Sequence, residues 1–410
     1  MADKVSKKAQ INALNERSGL YLHIPWCRQI CHYCDFAKTA NHSPELRLKF
    51  LDTLFHHTNA WLTWYREKDS SGLSSVFLGG GTPSLYTSEY DGLMALVTSH
   101  CRPNAEITLE ANPDDITIES LKIWRGLGFN RISLGVQSFD PIGLKAMHRI
   151  HSKDQAIKAV EMALSIFPTV NIDLIYGWQS QTMSSWEEDL LIAVKLNVPH
   201  LSLYNLTYEP RTVIGRMAAR GKIEPADDKS LESYYLLACA HLAKAGFVHE
   251  EVSNWSKPGH SCSHNWLYWS DRPYIGVGPG AHGYLPQEDG IGIRYAYDRN
   301  ERSFTSSNSY VSQSFNPSVL PVADIVIEDD RSIDSWIIEA IGSSLRTDLG
   351  VDLGYISRKS GKPFKLGKKL EAGISSGALK LIENDQRLIA SANEWFREHY
   401  WALAVIDGFE

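Results

Sequence analysis

No apolar run in this chain approaches the length needed to span a bilayer, so a membrane-spanning helix is not expected. The opening residues, MADKVSKKAQ, are polar and basic and lead into no apolar core segment. A secretory signal is therefore not expected, and the expected compartment is the cytoplasm. No basic block stands out and the formal net charge is -7, which together argue against a nucleic-acid partner. Internal repeats and low-complexity tracts are missing, which argues against a solenoid. Cysteine is scarce, with six in 410 residues, and in a reducing compartment a disulfide framework is not expected. What remains is ordinary for a folded protein: 43% hydrophobic and 22% charged residues, in a chain long enough for a large core and a smaller appended domain.

The pattern along the chain is an alternation of strand-like and helix-like stretches. GLYLHIP (19–25), SSVFLGG (74–80), AEITLEAN (105–112), RISLGVQSF (131–139), TVNIDLIYG (169–177) and HLSLYNLT (200–207) read as strands. Helical periodicity occupies 45–68, 117–128, 153–166, 182–197 and 228–246. Six strand–helix units in sequence predict an α/β fold, a parallel sheet with helices outside it, open or closed into a barrel. The pattern breaks after about residue 250, and 286–318, rich in Ser, Asn, Gly and Asp, reads as irregular connection. From Ser332 the text turns helical again, with a β-like pair at 379–390 turning at Asp385-Gln386, and predicts a small separate domain. The expected boundaries are a polar tail at 1–17, a main domain at 18–250, an extension at 251–320 and a C-terminal α+β domain at 321–410.

Three of the six cysteines fall within eight residues, Cys27-Arg-Gln-Ile-Cys31-His-Tyr-Cys34. Thiolates select zinc, copper(I) or iron–sulfur clusters. A structural zinc site would need a fourth ligand at a second knuckle, and no second CxxC exists. Three cysteines on one tight loop can instead hold three irons of a cubane and leave the fourth iron open. Polar and glycine-rich residues recur at the ends of the expected strands: Gly79-Gly80-Gly81-Thr82-Pro83, Glu110, Gln137 and Asp173. In parallel α/β sheets that edge binds ligands.

CxxxCxxC on the loop after the first strand resembles the radical S-adenosylmethionine (radical SAM) superfamily. YLHIPWCRQICHYCDF, LGGGTPSL, TLEANPDD, RISLGVQSFD and NIDLIYGWQSQT resemble its oxygen-independent coproporphyrinogen oxidase-like branch, from about residue 18 onward. The resemblance implies a partial (β/α)6 TIM-like barrel with a small winged-helix-like C-terminal domain. It implies a [4Fe-4S] cluster on Cys27, Cys31 and Cys34, and SAM on the open iron. Tyr21, Tyr33, Gly80, Gly81, Thr82, Glu110, Gln137, Arg149 and Asp173 match the SAM site, with the glycine turn expected to let backbone approach the SAM amino group. The alternatives are a solvated strand end for Glu110 and Asp173, and a core amide satisfied by backbone for Gln137.

Within that branch the chain resembles the HemW group of heme chaperones more than the oxidases. Phe36 stands where an oxidase has a further cysteine, the stretch before Cys27 is short, and His264-Asn265-Trp266-Leu267-Tyr268-Trp269 matches the HNxxYW motif of that group. The resemblance implies heme as a further ligand, with His264, Asn265, Tyr268 and Trp269 as its expected site. It also implies heme-requiring client proteins, membrane-associated respiratory enzymes among them, and allows a homodimer. The alternative function is porphyrinogen decarboxylation. For the motif itself, the alternative is a structural corner in which His264 is satisfied internally and the aromatics close the barrel mouth. His282, and Cys262 two residues before His264, are further candidate ligands, whereas Cys101 and Cys239 lie in helix-like apolar contexts and read as buried and inert.

Overall fold

Six segments of the first half carry apolar residues at every second position, and each becomes a strand. In the computed structural model, which describes residues 18–285, 291–307, 320–327, 332–382 and 386–409, these are β1 (Gly19–Ile24), β2 (Leu73–Gly80), β3 (Cys101–Ala111), β4 (Arg131–Gln137), β5 (Thr169–Tyr176) and β6 (His200–Asn205). They lie parallel and side by side in chain order. Helices cover their outer face, among them Pro44–Lys68, Ile118–Gly126, Lys153–Leu164 and Met183–Lys195. Three of these helices start in capping boxes, at Thr117, Ser152 and Thr182, which satisfy end amides that would otherwise have no partner.

The period of two separates the sheet's faces by chemistry. Leu20, Leu22, Val76, Leu78, Leu109, Ile132, Leu134, Ile172, Leu174, Leu201 and Leu203 are buried in the main apolar core. The alternate positions are polar: Arg131 and Ser133, Asn171 and Asp173, His200 and Ser202. Buried amides and hydroxyls need partners, and these residues supply one another's. Asn171 Nδ2 donates to Ser133 (2.7 Å), Asp173 (2.8 Å) and Ser202 (2.9 Å), and Ser202 donates to Asn254 (2.9 Å). The barrel interior is thus a hydrogen-bonded polar network inside an apolar shell.

The sheet continues past the six strands on both sides. β9 (Tyr274–Val277) runs parallel to β1 on its free side, followed by antiparallel β10 (His282–Leu285), β11 (Ile293–Tyr297) and β12 (Ile325–Ile327). Beyond β6 lie antiparallel β8 (Asn254–Ser256) and β7 (Val248–Glu251). The order is β12-β11-β10-β9-β1-β2-β3-β4-β5-β6-β8-β7. The expected irregular connection over 286–318 is therefore corrected in part: Ile293–Tyr297 is a strand and Glu301–Thr305 a short helix. Tertiary contacts order this stretch, since Tyr295 stacks on Trp61 at 4.6 Å and the Trp61 indole donates to the Tyr297 hydroxyl at 2.9 Å. Residues 286–290 and 308–318 of this stretch lie outside the described residues.

The C-terminal part has its own core, including Trp336, Ile341, Leu345, Leu370, Leu388, Trp395 and Val405. Helices Ile333–Ser344, Leu353–Ser360, Lys368–Ser376 and Glu398–Ile406 surround an antiparallel sheet of β13 (Val351–Asp352), β15 (Arg387–Ala390) and β14 (Leu379–Ile382). Asp385 of the expected hairpin turn lies outside the described residues. Asp271 ties this part to the barrel: it accepts hydrogen bonds from Tyr284 of the main sheet and from Trp336, Tyr355 and Lys359 of the C-terminal part. No helix among the described residues is long and apolar enough to cross a membrane.

Candidate functional site

The cysteine loop leaves β1 through Pro25-Trp26. Trp26 is fully buried against Phe50, which fixes the exit direction. Two backbone bonds then close the neck of the loop: Cys27 N donates to Thr39 O at 3.0 Å and Thr39 N donates to Pro25 O at 2.8 Å. Outward-facing groups anchor what lies between. Arg28 pairs with Asp115 at 2.8 Å, Gln29 donates to the His148 carbonyl at 3.1 Å, the His32 carbonyl accepts from Ile214 N at 3.2 Å, and Asp35 pairs with Arg211 at 2.8 Å. The loop is held from its back, and all three cysteines stand outside any disulfide and line a cavity of about 900 Å³ on its front.

The same cavity takes in every residue the sequence assigned to the SAM site: Tyr21, Tyr33, Gly80, Gly81, Thr82, Glu110, Gln137, Arg149 and Asp173. They arrive from β1 to β5 and the loops that follow them. Glu110 accepts from the Gly80 amide at 3.0 Å, and burial together with the nearby Asp173 charge pushes its carboxyl up to about 7. Burial also raises Asp173, against the pull of its hydrogen bond from Asn171. Gln137 ends β4 with φ of +67°, a left-handed backbone that glutamine adopts only where its surroundings impose it.

The glycine turn has a cause within the fold itself. A Cβ on Gly81 would meet the backbone of Ile24, Pro25 and Trp26 at 2.8 Å, and one on Gly80 (φ +112°) would meet the His23 ring at 2.5 Å. Close packing of the turn against β1 and the start of the cysteine loop is therefore sufficient to require glycine at both positions.

The donor set bears on which metal group could fit. Among the described residues, no three His, Cys, Asp or Glu side chains converge on a single-ion site, so the loop is not the closed site a structural zinc needs. Three thiols on one cavity wall suit a group with one metal atom per thiolate. Burial pushes the Cys27 thiol up to about 12, partly offset by a hydrogen bond from Thr82, so a metal group binding there would displace protons.

The HNxxYW segment forms the helix Ser263–Trp269, and the structure does not bring its four expected heme residues together. His264 is buried with both ring nitrogens engaged, Nδ1 with the Ser75 hydroxyl (2.9 Å) and Nε2 with the Tyr268 hydroxyl (3.0 Å). Burial lowers its pKa to about 3, so the ring is neutral. Glu106 accepts from the helix's first amides, Ser263 N and His264 N, at 3.0 Å each. Tyr268 lines both the cysteine cavity and a second cavity of about 420 Å³ between the barrel and the C-terminal part, Trp269 lines only the second, and Asn265 lines neither. This is the internal satisfaction of His264 that the sequence left open. Cys262 is buried and directs its thiol to Glu106 at 3.5 Å, whereas His282 is exposed on the cavity wall. Cys239 sits in a helix as expected, but Cys101 opens β3.

Two residues of the site escaped the sequence. His23 donates from Nε2 to the Ala37 carbonyl (2.7 Å), so its Nδ1 accepts from the Tyr21 hydroxyl (2.9 Å), and the ring joins strand, loop end and cavity. Its position in the quoted YLHIP run was the available signal. Asn112, from the quoted EANPDD, also lines the cavity and carries no chemistry that singles it out in a sequence.

Comparisons with known proteins agree with this architecture. The model of the Radical SAM superfamily matches residues 21–191. The heme chaperone HemW of Lactococcus lactis is 35% identical over 391 residues, covering 93% of this chain and 95% of the relative. HemW of Escherichia coli is 36% identical over 301 residues, covering 72% and 77%, and HemW of Mycobacterium tuberculosis is 38% identical over 276 residues, covering 65% and 69%. Among solved structures, coproporphyrinogen III oxidase (HemN) of Escherichia coli, a radical SAM enzyme, superposes with a TM-score of 0.72 over 97% of this chain and 93% of its own, at 20% identity, which speaks for the fold alone.

Proposed function

The chain belongs to the HemW family of radical SAM proteins, and from that premise we propose that it is a heme chaperone. In this reading it carries a [4Fe-4S] cluster, SAM and heme, passes heme to client proteins, and has no coproporphyrinogen oxidase activity. One observation carries it most: three cysteines and the full set of SAM-type residues line a single cavity at the strand ends. At about 900 Å³ it is near the upper end of small-molecule sites.

Cys27, Cys31 and Cys34 would hold the cluster, which supplies an electron donor and an open iron for SAM. This chain's residues then do the binding and orienting. Glu110 and Asp173 are buried acceptors for N–H and O–H groups of the ligand, and Arg149 is a fixed cation. Because Glu110 sits near 7, a cationic amino group binding beside it would favour its ionised form, so affinity for SAM rises with pH through that value. For heme we assign the same cavity, with Tyr268 on its wall and His282 as the exposed imidazole. His264 is left out of ligation, because freeing either nitrogen would break an internal bond.

Anaerobic reconstitution followed by heme titration, alongside a coproporphyrinogen assay, tests this reading. The expected result is a stoichiometric heme spectrum with no decarboxylation. Formation of protoporphyrinogen would overturn it.

A further inference from the structure

Behind the cysteine loop, the turn that follows β3 contributes an amide that reaches two of the three cysteines through intermediaries. Arg149 Nη1 donates to the Cys31 sulfur at 3.2 Å, and its Nη2 donates both to Asn112 Oδ1 at 2.6 Å and to the Gly135 carbonyl at 2.7 Å. A guanidinium only donates, so the amide oxygen must face Arg149 and the amide nitrogen must face away. That nitrogen donates to Thr82 Oγ1 at 3.2 Å. The Thr82 oxygen is thereby an acceptor toward Asn112, which leaves its own hydrogen for the Cys27 thiol, the group that Thr82 holds down against the upward push of burial. The result is an arc, Cys27–Thr82–Asn112–Arg149–Cys31, whose proton directions follow from the orientation that the donor-only Arg149 imposes on the Asn112 amide. The same turn braces the loop from outside: Asp115 pairs with Arg28 and accepts from Ser84, whose hydroxyl in turn accepts from the Asn112 backbone N–H at 3.4 Å.

We propose that Asn112 is a positioning residue that sets the reduction potential of the group bound by the cysteines, by holding one hydrogen-bond donor on the Cys27 sulfur and another on the Cys31 sulfur. This rests on the cluster reading above. Hydrogen bonds to thiolate sulfur favour the more negative, reduced state and are among the levers that set iron–sulfur potentials. Asn112→Asp keeps the shape and replaces the amide nitrogen with an acceptor. The Thr82 hydrogen then turns to the carboxylate and leaves Cys27, while Arg149 is drawn toward the new charge and away from Cys31.

The test is a spectroscopic redox titration of the reconstituted full-length protein. The midpoint of Asn112→Asp is expected at a more negative potential than wild type. Thr82→Val, which removes the hydroxyl at nearly constant volume, is expected to move it in the same direction, and Asn112→Asp added to Thr82→Val to move it further by less than Asn112→Asp alone. Equal midpoints for wild type and Asn112→Asp at equal iron content would overturn the proposal. Should Asn112→Asp fail to fold, Thr82→Val decides: an unmoved midpoint overturns it and a negative shift supports it. A wild-type chain that takes up no four-iron cluster would overturn the underlying cluster reading instead, so the two failures are distinct.

Discussion

The two motif-bearing segments, the loop 27–34 and the helix Ser263–Trp269, treat their reactive side chains in opposite ways. The loop fastens itself with backbone, arginine and glutamine contacts on its outer side and turns three thiols to a cavity. The helix uses its most ligand-like group as an internal fastener, with His264 clasped between Ser75 and Tyr268. Both segments contain metal-ligating residue types. What separates them is whether the fold turns the ligand atoms toward a cavity or closes both sides of them with internal partners, and that is decided by residues far away in the chain.

The largest test of this contrast is loss of one thiol. Cys31→Ser is expected to abolish assembly of the four-iron cluster, measured as iron and acid-labile sulfide per chain, while the folded chain survives because the loop keeps its backbone, Arg28 and Gln29 anchors. Next comes His264→Ala, which leaves the Ser75 and Tyr268 hydroxyls without their partner and opens a cavity. A cost of about 2–4 kcal/mol in denaturant unfolding is expected, with the absorption spectrum of bound heme unchanged. A lost or shifted heme spectrum would return His264 to the ligand set and erase the contrast.

A third test uses pH. The Glu110 carboxyl, raised by burial to about 7, binds its proton more tightly folded than unfolded. Its contribution to stability is therefore fully present below about pH 4.5 and is lost as pH rises through about 7. Asp189 and Glu251, also pushed up to about 7 by burial, titrate in both proteins. The difference between wild type and Glu110→Gln in urea melts across this range thus isolates Glu110, and the variant is expected to show the shallower decline. The smallest effect concerns an anchor on the loop's exposed side. Arg211 and Asp35 form a surface pair, and a double-mutant cycle with Arg211→Ala and Asp35→Ala should yield a coupling of about 0.5 kcal/mol, shrinking with salt.

Much of the barrel was legible in the sequence because β1 to β6 carry their own period-two pattern, and many cavity-lining residues were legible because polar and glycine residues stand at or just after those strand ends. β11 was not legible: Ile293–Tyr297 sits in a Gly- and Asp-rich stretch, and its order comes from Trp61, far earlier in the chain. The role of His264 was unreadable for the same reason, since its partner Ser75 is 189 residues away. Asn112 shows a third limit. An amide has no chemistry to announce, and its importance lies in the direction of its hydrogen bonds, which only the placement of Arg149 and Thr82 fixes.

The strands run around the cavity from β12 to β7, and the hydrogen-bonded order has two ends. Asp35 supplies a closure of another kind. Its side chain pairs with Arg211, which follows β6, and its carbonyl accepts from Arg299, which follows β11, so segments from the two wings of the sheet meet on one residue of the cysteine loop. Strand ladders come apart only with the fold, whereas an exposed ion pair such as Arg211–Asp35 loosens in strong salt and fastens again on dilution. The sheet is the length of a belt around the cavity, and a single acidic residue is its buckle.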